Sequence, residues 1–231
     1  MANMELLQHL LSADASAPRL SVYNEADGTR MDFSAQTLEN WTSKIANMLL
    51  EELDLEPDSD SRILIDLPVS WQAAVIALGA LAAGIPFDVT DGAAAMQPHP
   101  DSVAVLFTSP EAFTEGSGIS GADTVLVTQD PFGRGVVESG GELPVGTIDF
   151  GPTVRFYGDQ FYGTTTPLPE LFPTDLGAER VLSQGWTDTA SFERAVLEPL
   201  SAGGSAVIVA GLCSADRLKE IADNEKVTVR A

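Results

Sequence analysis

The sequence predicts an α/β fold: a predominantly parallel sheet flanked by helices, preceded by an N-terminal helix and a β-hairpin, in a single domain over residues 1–231. Three observations predict it. Arg62 to Pro68, Trp71 to Ala83 and Ile85 to Val89 read as strand, helix and strand, a βαβ unit with a compact crossover. The order repeats in Val181 to Ser183, Ser191 to Ser201 and Ser205 to Val209. The 231 residues are 44% hydrophobic and 20% charged, the balance of a globular chain with a sizeable core.

Taken in order, Met4 to Leu11 forms an amphipathic helix with Leu7, Leu10 and Leu11 on one side. Leu20 to Asn24 and Arg30 to Phe33 alternate around Asp27-Gly28, a strong turn dipeptide, and predict a hairpin. Ser34 stands where a helix N-cap is needed, ahead of Leu38, Trp41, Ile45, Met48 and Leu49 at spacings of three and four. Leu53 to Asp60 is an acidic loop before the first buried strand. The alanine-rich helix Trp71 to Ala83 permits close approach to its neighbours, with Gly79 marking the tightest point and Gly84 the end. Val103 to Thr108 and Val125 to Thr128 are strands joined by a Gly/Ser-rich connector. Residues 129–178 form a loop-rich, insertion-like segment with short β-like pieces such as Val154 to Tyr157. Asp216 to Asn224 is the last helix and Val227 to Val229 the last strand.

Charge excludes some functions. Twelve basic and 34 acidic side chains leave a formal charge of −22. Such a surface repels phosphodiester backbones and anionic headgroups, so neither nucleic acid nor membrane is expected as a partner. One cysteine, Cys213, forbids an intrachain disulfide, and no stretch has the length of a membrane span or the layout of a signal peptide. A cytoplasmic location is expected. No metal-ligand cluster, nucleophile elbow or Walker A loop is present, so no catalytic residue and no metal ligand is assigned.

Four stretches invite a functional reading. Gly116-Ser117-Gly118-Ile119-Ser120-Gly121 spells the dinucleotide fingerprint, but a strand follows it where one should precede it, so it reads as a loop. His99-Pro100-Asp101 lacks any basic helix beside it and reads as a turn. Asp66 ends a strand and Asp88 lies within one, each as a buried or edge-capping carboxylate. Gly163-Thr164-Thr165-Thr166-Pro167 has the glycine and hydroxyls to wrap a phosphate. No cation lies close by in sequence; Arg155 and Arg180 are the nearest arginines, and the lysines are Lys44, Lys219 and Lys226. A polyphosphate loop needs fixed positive charge.

The block from Gly28 to Val89 resembles the opening of the adenylate-forming, AMP-binding enzymes, which include acyl-CoA synthetases, luciferases and peptide-synthetase adenylation domains. There an aromatic residue opens a helix with leucine and alanine anchors. A strand ending in proline follows, then an alanine-rich helix closed by glycine. The matching residues here are Phe33, Leu38, Ile45-Ala46, Ile63 to Pro68, Trp71 to Ala83, Gly84 and Phe87. Arg180 to Ser183, Leu200 to Val209 with its Gly203-Gly204 turn, and Leu218 to Val229 resemble a later strand, helix, glycine turn and crossover of the same superfamily. Within it, the chain resembles a small actinobacterial family with twilight similarity to AMP-binding enzymes.

The resemblance implies the fold of the superfamily's N-terminal portion. It also implies that Gly163, Thr164 and Thr165 are the remnant of a phosphate-binding loop from which the lysine is absent. Ala231 would fall near the entry to the second large subdomain, leaving outside the chain the adenine-binding segment, the acidic metal-binding position, the ribose-binding aspartate and the C-terminal lid. The expected function is a degenerate, non-catalytic acyl-CoA synthetase-like protein that binds a protein or small-molecule partner and holds no cofactor. The alternative is an ATP/AMP- or acyl-binding half-enzyme using ATP and Mg²⁺ in an acid-CoA ligase-type reaction with a partner chain. Nothing in the residues indicates an oligomeric state.

Overall fold

The computed structural model describes residues 6–57, 59–92, 102–114 and 118–231. In chain order its elements are α1 (Gln8–Asp14), β1 (Pro18–Asn24), β2 (Thr29–Ser34), α2 (Ala35–Glu51), β3 (Arg62–Asp66), α3 (Trp71–Ala83), β4 (Phe87–Thr90), β5 (Val103–Thr108), β6 (Asp123–Leu126) and β7 (Thr147–Asp149). They continue with α4 (Phe150–Phe156), α5 (Leu168–Leu171), β8 (Arg180–Ser183), α6 (Thr189–Phe192), a π turn (Glu193–Leu197), α7 (Glu198–Ser201), β9 (Ser205–Ala210), α8 (Ala215–Asn224) and β10 (Val229–Arg230). The chain divides into two compact units. One holds residues 40–68 and 72–165; the other holds residues 6–39, 69–71 and 166–231.

The first unit contains a five-stranded sheet in the order β4-β3-β5-β6-β7, parallel throughout. Its inner strands are apolar runs, Ile63-Leu64-Ile65 and Val105-Leu106-Phe107, in place of an alternating pattern. Such runs suit a parallel sheet covered on both faces. Helix α3 is buried from Ala73 to Leu78 and has no distinct polar side. Gly79 explains how it fits: a Cβ there would fall on Cβ and Cγ2 of Ile45 in α2. The glycine is required by proximity, as the alanine-rich stretch suggests. Phe107 meets Phe150 edge to face, with centroids 6.3 Å apart.

The second unit contains a sheet in the order β10-β8-β9-β1-β2. β1 and β2 are antiparallel, with Asn24 opposite Thr29 across the predicted hairpin; the other pairings are parallel. Gly28 takes φ +74°, and Asp27 Oδ1 accepts the Thr29 N–H at 2.9 Å, so the Asp-Gly pair does supply the turn. Ser34 Oγ accepts the Thr37 N–H at 3.1 Å, the predicted cap. β9 is buried at all six positions, and β1 pairs with it, Leu20 opposite Ala206. At the turn before β9, a Cβ on Gly204 would strike the backbone of Glu179.

Two local differences from the sequence reading have physical causes. Val154 to Tyr157 reads as β-like, yet Val154 lies inside helix α4. Pro152 falls in the first turn, where its missing N–H costs nothing, and Gly151 packs onto the backbone of residues 133–135. Packing there overrides the strand preference of a β-branched residue beside aromatics. The helix predicted from Ser191 to Ser201 runs through a π turn. Pro199 cannot donate to the carbonyl four residues back, and the ladder ahead of it shifts register: the Glu198 N–H reaches Glu193 O, five residues back. No helix among the described residues is long and apolar enough to cross a membrane.

Candidate functional site

Gly163, Thr164 and Thr165 lie on an irregular stretch of the first unit that follows α4. The segment leading into it is anchored to α2. Lys44 Nζ donates to Tyr157 O at 2.8 Å, and Asn47 Nδ2 donates to Gly158 O at 3.1 Å and Gln160 O at 3.0 Å. The Tyr157 hydroxyl donates to Glu52 at 2.8 Å. Burial first, and that carboxylate second, push the Tyr157 phenol up to about 12. A Cβ on Gly163 would collide with the Phe161 ring, so this glycine makes room for an aromatic neighbour. Thr164 is exposed, and the Thr165 hydroxyl donates to Ala82 O at 3.3 Å.

Of the cations named on sequence grounds, Lys44, Arg155 and Arg180 are engaged within the fold. Lys44 is held by the Tyr157 carbonyl. Arg155 pairs with Glu138 and donates to Gly133 O at 2.8 Å. In the second unit, Arg180 is tied to Glu225 and donates to Ser21 Oγ at 2.9 Å and Ser205 Oγ at 3.0 Å.

The carboxylates singled out at strand ends are structural. Asp66 accepts the Thr90 hydroxyl at 2.5 Å, locking β3 to β4, and Asp88 pairs with Arg62 at 3.0 Å. His99-Pro100-Asp101 and the Gly116-Ser117 start of the glycine-rich hexad lie outside the described residues. Gly118 packs beside Thr124 Oγ1, and Gly121 takes φ +84° just before β6, the position of a loop leading into a strand.

One concave site escaped the sequence reading. In the second unit, the loop leaving β8 borders a cavity of about 340 Å³ lined by Ser183 to Thr187, Ser191, Arg194, Ala195 and Ala231. The Ser183 hydroxyl shapes the loop by donating to Gly185 O at 3.0 Å. Gly185 has φ +100°, and a Cβ there would meet Val69. Asp188 and Ser191 form a reciprocal capping box that opens α6. Trp186 is 3% exposed and stacks edge to face on Phe192, centroids 4.9 Å apart. No fingerprint spans these residues. The available signal was positional: a polar loop at the carboxyl end of a parallel strand, where open α/β sheets bind ligands.

Comparison with known proteins adds ancestry. No protein-family model matches the chain. It is 32% identical over 245 residues to a Mycobacterium tuberculosis protein described as a TIGR03089 family protein, covering 96% of this chain and 95% of that one. Among solved structures it resembles an acyl-CoA synthetase from Brucella canis, with a TM-score of 0.73 and 14% identity over 99% of this chain and 47% of the other. It also resembles an acetoacetyl-CoA synthetase from Streptomyces lividans, with a TM-score of 0.73 and 16% identity over 99% of this chain and 42% of the other. The chain thus spans about half the length of these solved proteins and carries the fold of the acyl-CoA synthetase N-terminal subdomain.

Proposed function

Because the chain belongs to the TIGR03089 family and is related to acyl-CoA synthetase-like proteins, we propose that it is a non-catalytic, AMP-binding-like member that binds a protein or small-molecule partner. The observation that carries this reading is the commitment of positive charge around the one phosphate-loop candidate. Lys44 is bound to a backbone carbonyl, and Arg155 pairs with Glu138. A triphosphate at Gly163 to Thr165 would have to break these contacts or remain uncompensated as it lost water. Within Gly163 to Thr165, Thr165 spends its hydroxyl on Ala82 O and Thr164 is exposed. A cytoplasmic setting is part of the proposal.

Calorimetric titration with ATP and Mg²⁺, run beside an ATP–pyrophosphate exchange assay, tests it. The expected result is no saturable heat and no exchange. Magnesium-dependent retention of ATP, or exchange above a blank, would overturn the reading in favour of an ATP/AMP- or acyl-binding half-enzyme that adenylates an acid with a partner chain.

A further inference from the structure

We propose that the loop between β6 and β7, together with α4, forms a rigid docking face in the first unit for an apolar, basic segment of a protein partner. This rests on the partner-binding reading above and specifies the partner's chemistry. The first observation is exposure. Seven large hydrophobic side chains are exposed among the described residues, and five of them, Phe132, Val137, Val145, Phe156 and Tyr162, fall within residues 132–162. Phe132 is 75% exposed and Phe156 85%. Single exposed apolar side chains are ordinary, but a concentration of them marks an interaction face.

The second observation is that the fold holds these side chains in place. Asp130 Oδ1 accepts the Phe132 N–H at 2.9 Å and the Arg134 N–H at 3.2 Å, and its other oxygen accepts from the Arg134 guanidinium. Asp149 is buried, and its two oxygens accept the Val136 N–H at 2.9 Å and the Val137 N–H at 3.3 Å. From α3, the buried Gln72 side chain donates to Thr128 O at 3.1 Å and Asp130 O at 2.9 Å. Arg155 ties the loop to α4 by donating to Gly133 O at 2.8 Å and pairing with Glu138. Gly133 follows Phe132, Glu138 follows Val137 and Phe156 follows Arg155, so three exposed apolar side chains flank one guanidinium. A loop fixed in this way loses little freedom when a partner lands on it, and ordered aromatics are the usual anchors of protein interfaces.

The third observation is charge. Residues 129–162 hold five carboxylates, two arginines and no lysine. Both arginines are committed, Arg134 to Asp130 and Arg155 to Glu138. Glu142 and Asp159 are exposed and have no ion pair or side-chain hydrogen bond among the described residues. The face thus offers aromatic surface beside free negative charge, and its complement is apolar and cationic. A second copy of the chain, also at −22, would bring these carboxylates against their own kind, and anionic headgroups would be repelled as well. An amphipathic helix carrying lysine or arginine meets both demands: its apolar side covers the rings, and its cations reach the two carboxylates and the ring faces.

The test adds a synthetic amphipathic helix of leucine and lysine to the ¹⁵N-labelled full chain at constant ionic strength. A leucine–glutamate helix and a serine–lysine peptide of equal positive charge are the controls. Saturable amide shifts centred on residues 132–137 and 155–157 are expected with the leucine–lysine helix and none with leucine–glutamate. The serine–lysine peptide should bind about ten-fold more weakly or worse. Phe132→Ser combined with Phe156→Ser, both at exposed positions, should keep a native spectrum and weaken binding about ten-fold or more. Glu142→Lys combined with Asp159→Lys, which leaves the rings untouched, should also weaken it, whereas Leu212→Ser, at an exposed leucine of the second unit, should not. No saturable shift, shifts centred elsewhere, or equal binding by either double variant overturns the proposal. So does a dimer in sedimentation that the phenylalanine double variant abolishes, which assigns the face to a second copy. Flotation with phosphatidylglycerol vesicles that the same variant abolishes overturns it in favour of a lipid surface. The ATP assays do not report on this face, so failure of either proposal is distinguishable from failure of the other.

Discussion

Gly79→Ala probes the tightest helix contact in the first unit. The added methyl would fall on both Cβ and Cγ2 of Ile45. A change of rotamer moves Cγ2 but leaves Cβ in place, so α2 and α3 must separate or shift. Overpacking of this kind costs about 1–3 kcal/mol. Replacing glycine by alanine inside a helix returns about 0.8–1.0 kcal/mol of intrinsic preference. The balance is a loss of about 1 kcal/mol, read as a lower midpoint in urea denaturation followed by circular dichroism. In an Ile45→Ala background the Cγ2 contact is gone and the Cβ contact stays, so the penalty should shrink by about 0.5 kcal/mol or more without vanishing. A stabilised Gly79→Ala protein, or the same penalty in both backgrounds, would refute the close-packing argument.

Three further outcomes are expected. Glu225 joins Tyr23, Arg30 and Arg180; burial raises its pKa, but the hydrogen bonds from these partners outweigh burial and hold it below the ordinary 4.5. Its contribution is therefore full above that value and lost as pH falls through the lowered one. Glu225→Gln should flatten the acid limb of the stability profile and cost toward the lower end of about 3–5 kcal/mol, since Arg30 stays partly hydrated. Gly204→Ala places a methyl on the Glu179 backbone, which no rotamer relieves, whereas Gly203→Ala meets open space at φ +79° and costs only about 1–2 kcal/mol of left-handed strain. Denaturation midpoints should rank Gly204→Ala as the more damaging. Tyr157, pushed up to about 12 from 10.0 by burial and Glu52, favours its neutral form in the fold. Its stabilisation is present below pH 10 and fades as pH rises toward 12, so Tyr157→Phe should lack that part of the alkaline decline in a pH series of thermal melts.

The two units also show where local reasoning reaches its limit. Trp71 to Ala83 was legible as a helix with its bounds, because an alanine-rich run after a proline and before Gly84 leaves little choice. The Asp27-Gly28 hairpin and the Ser34 cap were legible because each is decided within four residues. Val154 was misread because its strand preference is local while the packing of Gly151 and Pro152 is not. The phosphate-loop candidate was legible as residue types, but the internal use of Lys44 and Thr165 was not, since their acceptors lie 113 and 83 residues away along the chain.

What the sequence determined alone is therefore the elements outside residues 129–178, their order and the acidic character of the chain, all of which follow from short-range propensity, periodicity and composition; β7, α4 and α5 lie within the segment it reads as loop-rich. Tertiary structure alone decided which strands share a sheet. The hairpin strand β1 joins β9, formed by residues nearly at the other end of the chain, while β3 to β7 pair among themselves. It also decided that Arg194 lines a cavity with no ion-pair partner among the described residues, while Arg180 is locked to Glu225. Strand pairing and charge pairing depend on distances in space between residues remote in sequence, and pattern along the chain does not carry those distances.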